Sequence, residues 1–240
     1  MNEITKVNFT KPKNSYEVKL DMPDDLFSSV LDCTEDGVII PKVLPWKEYQ
    51  RYTENQLKLL FFKLGVYVVP TEELCSLLDE LISPNENAIE ICAGLGVIGR
   101  KMNMVCTDSK QQDNPLIQKV YKENGQPTIK YPNYIEKYEA LDAVELYKPD
   151  CVLACYGTPK WNMNRAFEVF KKYKKEPCGS EYGVDYVELY KRVPHIIAVS
   201  YDDLMVNTPL FDIQHKEYQR YGIVVRSLKK LKVYEWKHKI

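Results

Sequence analysis

The chain has 240 residues, of which 45% are hydrophobic, and its formal net charge is −1 at pH 7. This length predicts one large domain, or one domain with an appendage, that can bury a sizeable core. The near-neutral charge excludes a polycation, and the lack of any run of about eighteen apolar residues argues against a membrane span.

The first third of the chain predicts an N-terminal extension followed by helices. The start lacks the apolar core of a signal peptide, so we expect a cytoplasmic protein. Residues 1–44 carry mixed charge and predict short pieces wrapped on a larger body. Apolar residues then recur at helical spacing from Trp46 to Gly65. A second helix is predicted after Thr71, because threonine is a preferred N-cap.

From Pro84 onward, strand-like and helix-like segments alternate. The predicted strands are "AIEICA", "MVCTDS", "NYIEKY", "DCVLACY" and "HIIAVSY". Between them lie amphipathic helical segments, and "YGIVVRSLKKLKVYEWKHK" predicts two final strands joined by a tight turn. Alternation of this kind predicts an α/β fold with a mostly parallel sheet, flanked by helices and ending in an antiparallel hairpin. We expect residues 1–83 to pack on a core of residues 84–240 as one globular unit.

Seven cysteines are present, and none belongs to a Cys-x-x-Cys pair. A structural zinc site therefore has no support, and no metal site is predicted. Cys92, Cys106, Cys151 and Cys155 fall in apolar, strand-like runs, where reduced cysteine packs as a small hydrophobe. A redox pair of Cys151 and Cys155 is the alternative interpretation.

The segment "AIEICAGLGVIGR", residues 88–100, predicts a strand, a glycine-rich turn and the start of a helix. Parallel sheets bind ligands beyond the carboxyl ends of their strands, and glycine lets a ligand approach the backbone closely. Gly94, Gly96 and Gly99 fit the G-x-G-x-x-G spacing of dinucleotide-binding proteins. That interpretation leaves Glu90, inside the strand, without a role.

The same segment resembles the first motif of class I S-adenosylmethionine-dependent methyltransferases, which have a Rossmann-like fold. Their pattern is an acid followed by glycines two, four and six residues later. Here Glu90 is the acid, Gly94 and Gly96 are the second and third glycines, and Cys92 replaces the first. We expect Cys92 to remain within the strand with its side chain in the core. The terminal hairpin agrees with this family, whose sheet ends in an antiparallel strand.

The resemblance implies S-adenosylmethionine as cofactor and a set of residues that bind it. Ala93 belongs to the glycine turn, together with its neighbours. Asp108 ends the next strand, where the family has an acid that accepts both ribose hydroxyls; a helix cap is the alternative. Asp142 lies where the family often holds the adenine amino group, but it could be a solvated helix acid. Thr71 lies in a segment that holds the methionine part in adenine-specific methyltransferases, although a helix cap is the simpler interpretation.

The catalytic residues are not fixed by the resemblance. Adenine and cytosine amino methyltransferases carry N/D-P-P-Y/F/W after the fourth strand, but this chain has "ACYGTP" there. Tyr156 and Trp161 are candidates for stacking on a planar substrate, or for packing within the loop. Asp202 is a candidate base, with a helix cap as the alternative. Methyl transfer is largely a matter of positioning, so a general base is not always required.

Lysine and arginine are concentrated in two places. Residues 216–240 hold eight of them against two acids, and "KKYKK" spans residues 171–175. Such patches bind phosphate backbones or form solvated faces, so nucleic acid is a possible partner. The sequence thus predicts a methyltransferase acting on a nucleic acid or a small molecule. A non-catalytic protein that retains the cofactor pocket is the alternative, and a nicotinamide dinucleotide enzyme is disfavoured.

Overall fold

The structure is a computed structural model that describes the backbone of residues 6–11, 14–19, 26–224 and 229–239. Side chains are described for residues 28–219 and 231–239. The tight turn expected between the last two strands, at residues 225–228, lies outside the described residues.

Two antiparallel strand pairs occur near the N-terminus, and the strands of the large sheet follow from Ala88. The described strands are β1 (Lys6–Lys11), β2 (Asn14–Lys19), β3 (Leu31–Cys33), β4 (Ile39–Pro41), β5 (Ala88–Ile91), β6 (Val105–Asp108), β7 (Ile135–Lys137), β8 (Cys151–Cys155), β9 (His195–Ser200), β10 (Lys216–Val224) and β11 (Lys229–Lys237).

Helices lie between the strands. The described α-helices are α1 (Leu26–Val30), α2 (Trp46–Tyr49), α3 (Glu54–Lys63), α4 (Glu72–Leu81), α5 (Val97–Lys101), α6 (Pro115–Glu123), α7 (Ala140–Tyr147), α8 (Met163–Glu168), α9 (Tyr186–Arg192) and α10 (Asp202–Met205). A π-helix, Val169–Tyr173, continues α8, and 3₁₀ turns occur at Gln111–Asp113 and Pro209–Asp212. None of the described helices combines the length and apolar character needed to cross a lipid bilayer.

Within the described residues, seven strands form one sheet in the order β10-β11-β9-β8-β5-β6-β7. Strands β9, β8, β5, β6 and β7 pair in parallel, whereas β11 is antiparallel to both of its neighbours. The prediction of an α/β fold with a mostly parallel sheet and a final antiparallel hairpin is therefore confirmed. The direction of strand addition reverses between β5 and β8, which makes their carboxyl ends the expected place for a ligand.

Both faces of the sheet are covered by helices. On one face, Leu74 and Leu78 of α4 are buried against Leu153 and Ile197. On the other face, residues of α7 and α9 pack with the inner strands. Burial of each leucine removes apolar surface from water and is worth about 1.5–3 kcal/mol. Strands that are buried on both faces read as continuous apolar runs, which is why their sequences were recognisable.

Two predicted boundaries were wrong. The helix expected from Trp46 to Gly65 is two helices, because Thr53 forms a capping box with Gln56 and starts α3 there. The strand "AIEICA" ends at Ile91, since Cys92 has a left-handed backbone with φ of 51°. Cys92 is therefore outside the strand, contrary to expectation.

We predict that Gly96→Ala destabilises the fold by about 2–4 kcal/mol, from left-handed backbone strain together with a steric clash. Gly96 has φ of +61°, and an added Cβ would lie 2.5 Å from Ile135 Cδ1 and 3.2 Å from Cys106 Cβ. Gly37→Ala is the matched control, because Gly37 has φ of +77° and no atom within 4 Å of an added Cβ. The control should lose only about 1 kcal/mol. Equal losses in urea unfolding would contradict the proposed clash.

Candidate functional site

A cavity of about 300 Å³ lies at the carboxyl ends of β5, β6 and β8, where the strand order reverses. Its walls come mainly from the loop after α3 (residues 65–68) and the turn after β5 (residues 92–98). The loop after β6 contributes Ser109, Gln111 and Gln112, and a later loop contributes Gly179, Ser180, Tyr182 and Gly183. This volume is at the lower end of the range for small-molecule sites.

Glu90 forms part of the cavity wall although only 2% of its surface is exposed. Its Oε2 accepts the Gly99 N–H at 3.0 Å and the Cys106 thiol at 3.6 Å, and the Cys155 thiol also hydrogen-bonds to it. Burial raises the pKa of Glu90 to about 7, against the lowering effect of these donors. The predicted strand acid therefore anchors α5 to β5 from beneath the cavity.

The glycine turn has a left-handed backbone at alternate positions. Cys92, Gly94 and Gly96 have φ of 51°, 56° and 61°. Between them, Ala93 donates its N–H to the Thr107 carbonyl at 3.0 Å and lines the cavity. Glycine adopts this conformation freely, whereas Cys92 adopts it at a cost of about 1–2 kcal/mol. Strain of this kind persists where the surrounding structure requires the conformation.

Asp108 joins the loops that follow β5 and β6. Its Oδ2 accepts the Gly94 N–H at 3.0 Å, its Oδ1 accepts the Lys110 N–H at 2.9 Å, and Tyr131 also hydrogen-bonds to it. Burial raises the pKa of Asp108 above its usual value. A carboxylate offers about four acceptor positions, so this arrangement leaves room for one further donor. The expectation that Asp108 accepts two ribose hydroxyls thus exceeds what the present hydrogen bonds leave open.

Tyrosine rings stack beyond the end of β8. Tyr156, with φ of 62°, stacks on Tyr67 at 4.8 Å between ring centroids and lies 6.1 Å from Tyr201. Tyr67 and Tyr156 both line the cavity. The structure thus places the candidate Tyr156 at the site and adds Tyr67.

Three other predicted residues do not line the cavity. Thr71 is fully buried as the N-cap of α4, although its neighbour Pro70 does line the cavity. Asp142 is exposed on α7 and does not line the cavity, so its role in holding an adenine amino group stays a prediction. Asp202 pairs with Lys232 at 2.8 Å, at the start of α10. Its carboxylate also accepts the Tyr234 hydroxyl at 2.6 Å and does not line the cavity, so a role as base stays a prediction.

The cavity wall contains carboxylates but no cationic side chain among its described residues. The other polar side chains are uncharged, and several are tyrosines that sequence reasoning missed, including Tyr67, Tyr131 and Tyr182. With 18 tyrosines in the chain, composition alone gave no signal for those that meet here.

The basic C-terminal region is largely engaged within the protein where its side chains are described. Lys216 pairs with Glu235 at 3.6 Å, and Lys232 pairs with Asp202 at 2.8 Å. Four of its cationic side chains lie outside the described ones, namely Arg220, Arg226, Lys229 and Lys230.

All seven cysteines are free thiols, and Cys106, Cys151 and Cys155 lie in strands as expected. Burial raises the pKa of Cys151 and Cys155 above the usual thiol value, which keeps both thiols protonated. In the part of the chain that the structure describes, no three His, Cys, Asp or Glu side chains are grouped to hold a metal ion.

Comparison of the chain with protein-family models, with curated proteins and with solved structures gives no match.

We predict that Glu90 makes stability depend on pH between about 4.5 and 7. Its folded-state pKa is raised from 4.5 to about 7, so the folded protein holds this proton more tightly than the unfolded chain. The stabilisation is complete below pH 4.5 and is lost as pH rises through 7. Glu90→Gln keeps an acceptor for Gly99 and removes the titration, so its melting temperature should gain several degrees on wild type across this window.

Glu145→Gln, at an exposed position on α7, is the control and should track wild type. Melting curves at pH 5 and pH 8 make the comparison. A constant difference between Glu90→Gln and wild type would show that Glu90 does not titrate in this range.

We predict that Cys92→Gly is more stable than Cys92→Ala by about 1 kcal/mol, because glycine alone relieves a φ of 51°. Both variants remove the thiol, so the difference between their free energies of unfolding reports the backbone strain at position 92. Chemical unfolding measures it, and an equal or more stable Cys92→Ala would mean that this backbone carries no strain.

Proposed function

We propose that this protein is an S-adenosylmethionine-dependent methyltransferase that binds its cofactor in the cavity at the ends of β5, β6 and β8. The observation that carries the proposal is the backbone after Glu90. The residues two, four and six positions later, Cys92, Gly94 and Gly96, all have φ between 51° and 61°. These are the three glycine positions of the family motif, and Cys92 has the glycine-like conformation despite its side chain.

The sheet supports the same proposal. Its parallel strands follow the 3-2-1-4-5 order of Rossmann-like folds, counted from β5 as the first. The last strand, β11, is antiparallel and lies between β9 and β10. A terminal antiparallel strand is the feature that the resemblance to methyltransferases led us to expect.

The charge of the cavity favours a cationic ligand. Glu90 and Asp108 are its acids, and its described wall holds no lysine, arginine or histidine. S-adenosylmethionine carries a sulfonium and an ammonium group, which buried carboxylates attract. The anionic pyrophosphate of a dinucleotide would meet Asp108 here and find no cationic partner among the side chains that line the cavity. The charge balance therefore supports S-adenosylmethionine over a nicotinamide dinucleotide.

The space beside the glycine turn also fits such a ligand. A Cβ added to Gly94 would have only Ile129 Cδ1 near it, at 3.8 Å, so the backbone is open toward the cavity. Ala93 and Gly94 present backbone to this opening, and Asp108 holds it in place through the Gly94 N–H. A nucleoside-sized ligand can thus approach the turn without moving it.

When bound, S-adenosylmethionine supplies a methyl group on a sulfonium for in-line displacement. The residues of this chain would orient the reactants. The rings of Tyr67 and Tyr156 offer faces that attract a cation. Asp108 has one acceptor position left for a ligand hydroxyl. The wall offers no histidine or lysine base among its described residues, so the acceptor would be a nucleophile that positioning alone activates.

Cofactor binding without methyl transfer is the second candidate. The residues before Tyr156 are Ala154 and Cys155, where the amino methyltransferases have a polar residue. Asp202, the candidate base, is paired with Lys232. If the protein binds S-adenosylmethionine and yet forms no S-adenosylhomocysteine with any acceptor offered, the second candidate holds.

We predict that the purified protein binds S-adenosylmethionine and S-adenosylhomocysteine but not NAD, as measured by calorimetry. Gly94→Val should weaken both by at least tenfold, because its side chain would fill the opening beside the turn. Gly37→Val is the matched control, since it carries the same left-handed strain with no atom within 4 Å of the added Cβ. Asp142→Asn should bind as wild type.

Thermal melting of each variant confirms that it is folded before titration. Binding of NAD in place of S-adenosylmethionine would overturn the cofactor assignment. A folded Gly94→Val protein with unchanged affinity would remove the glycine turn from the site.

A further inference from the structure

Large apolar side chains are exposed along one face beside the cavity. Phe167 and Phe170 are 70% and 68% exposed, Met163 is 59% exposed, and Tyr182 is 58% exposed. Trp161 is also partly exposed and lies two residues before α8. We call Trp161, Met163, Phe167, Phe170 and Tyr182 the aromatic face. Exposed apolar groups that cluster in this way mark interaction sites.

The orientation of this face is fixed from behind by a buried arginine. Arg165 is 2% exposed, and its Nε donates to the Val206 carbonyl at 2.9 Å. Its guanidinium also pairs with Asp212 at 2.5 Å and with Glu168 at 3.0 Å. Because Arg165 anchors one side of α8, Phe167 is held on the other side, away from the core.

The lysines that follow α8 divide into two pairs. Lys172 pairs with Asp212 at 2.6 Å, and Lys175 pairs with Asp203. Lys171 and Lys174 have no ion pair within the described part of the chain. Lys171 follows Phe167 by four residues and lies in the π-helix that continues α8, whereas Lys174 directly follows that helix with a left-handed φ of 55°. Both side chains are exposed. The aromatic face is therefore bordered by two uncommitted positive charges.

The aromatic face is continuous with the cavity mouth. The Trp161 N–H donates to the Ser180 carbonyl at 2.9 Å, and a Cβ on Gly179 would lie 3.2 Å from the Trp161 ring. Gly179, Ser180 and Tyr182 all line the cavity. A chain lying on α8 would thus pass directly to the opening.

We propose that the aromatic face, with Lys171 and Lys174, binds single-stranded nucleic acid and delivers it to the cavity mouth. Bases stack on exposed rings whatever their sequence, and lysines neutralise the phosphates between them. The bases of a duplex are stacked on each other and not available to these rings, so a single strand is favoured. Delivery to the cavity rests on the proposed function, whereas binding to the face does not.

The test is fluorescence anisotropy with a labelled single-stranded DNA of about 12 nucleotides, a length within known single-strand site sizes. S-adenosylmethionine is left out, so the result is independent of cofactor binding. Wild type should bind with a dissociation constant of about 1–100 μM and bind the matched duplex less tightly. Phe167→Ala and Phe170→Ala should each weaken binding by about fivefold or more.

The double variant of Lys171→Ala and Lys174→Ala should lower the slope of log K against log salt by about 1.4, for two lost phosphate contacts. The matched control combines Leu146→Ala and Lys137→Ala, which remove an exposed leucine and an exposed lysine outside this face. Its affinity and salt dependence should equal those of wild type.

Three results would overturn the proposal. The first is no binding by wild type, and the second is equal weakening in the control. The third is that the oligonucleotide does not bind, whereas the protein binds anionic phospholipid vesicles or self-associates in sedimentation. Loss of that other interaction in Phe167→Ala would assign the aromatic face to it. Cofactor calorimetry on the same preparation then shows whether the proposed function stands without this surface.

Discussion

The carboxylate of Glu90 lies where β5, β6 and α5 meet, and its Oε2 accepts the Gly99 N–H at 3.0 Å. A side chain at Gly99 would place its Cβ 2.5 Å from that oxygen, so the close approach of α5 to β5 requires glycine. The chain must then turn sharply between Ile91 and Val97. It does so through left-handed backbone at Cys92, Gly94 and Gly96. The open backbone of the cavity is thus a consequence of how closely a buried acid holds the next helix.

The same acid imposes an electrostatic constraint on the cavity. Burying a carboxylate is costly unless donors surround it, and Glu90 has a backbone N–H and two thiols. Asp108 is held by two backbone N–H groups in the adjoining loop. Lys110 beside Asp108 lowers the pKa of that carboxyl against the effect of burial, whereas burial raises the pKa of Glu90 to about 7. A cation bound in the cavity would favour the ionised form of Glu90, and its binding would then be linked to the stability of the fold.

The number of lysines in a segment of this protein does not determine how much positive charge its surface presents, because some of those lysines pair with acids. In the segment "KKYKK", Lys172 and Lys175 pair with acids, whereas Lys171 and Lys174 border exposed aromatic rings. In the C-terminal region, Lys232 is held between Asp202 and Glu217. Two runs of similar composition therefore have different surfaces. Along α8 and the π-helix that continues it, lysines without an ion pair among the described residues occur together with exposed aromatic rings.

The sequence by itself determined the α/β class, the parallel strands, the final hairpin and the turn after Glu90. Those features follow from the spacing of apolar residues and from the positions of glycine, both of which can be read within a short stretch of the chain. It did not fix the left-handed backbone of Cys92, because that conformation depends on how α5 packs. Only the tertiary structure shows that the cavity wall does not include Thr71, Asp142 or Asp202. It also shows that Tyr67 stacks on Tyr156. Tyr67 and Tyr156 are about ninety positions apart in the sequence, and their contact depends on how distant elements pack. Local hydrophobic periodicity carries no information about that packing.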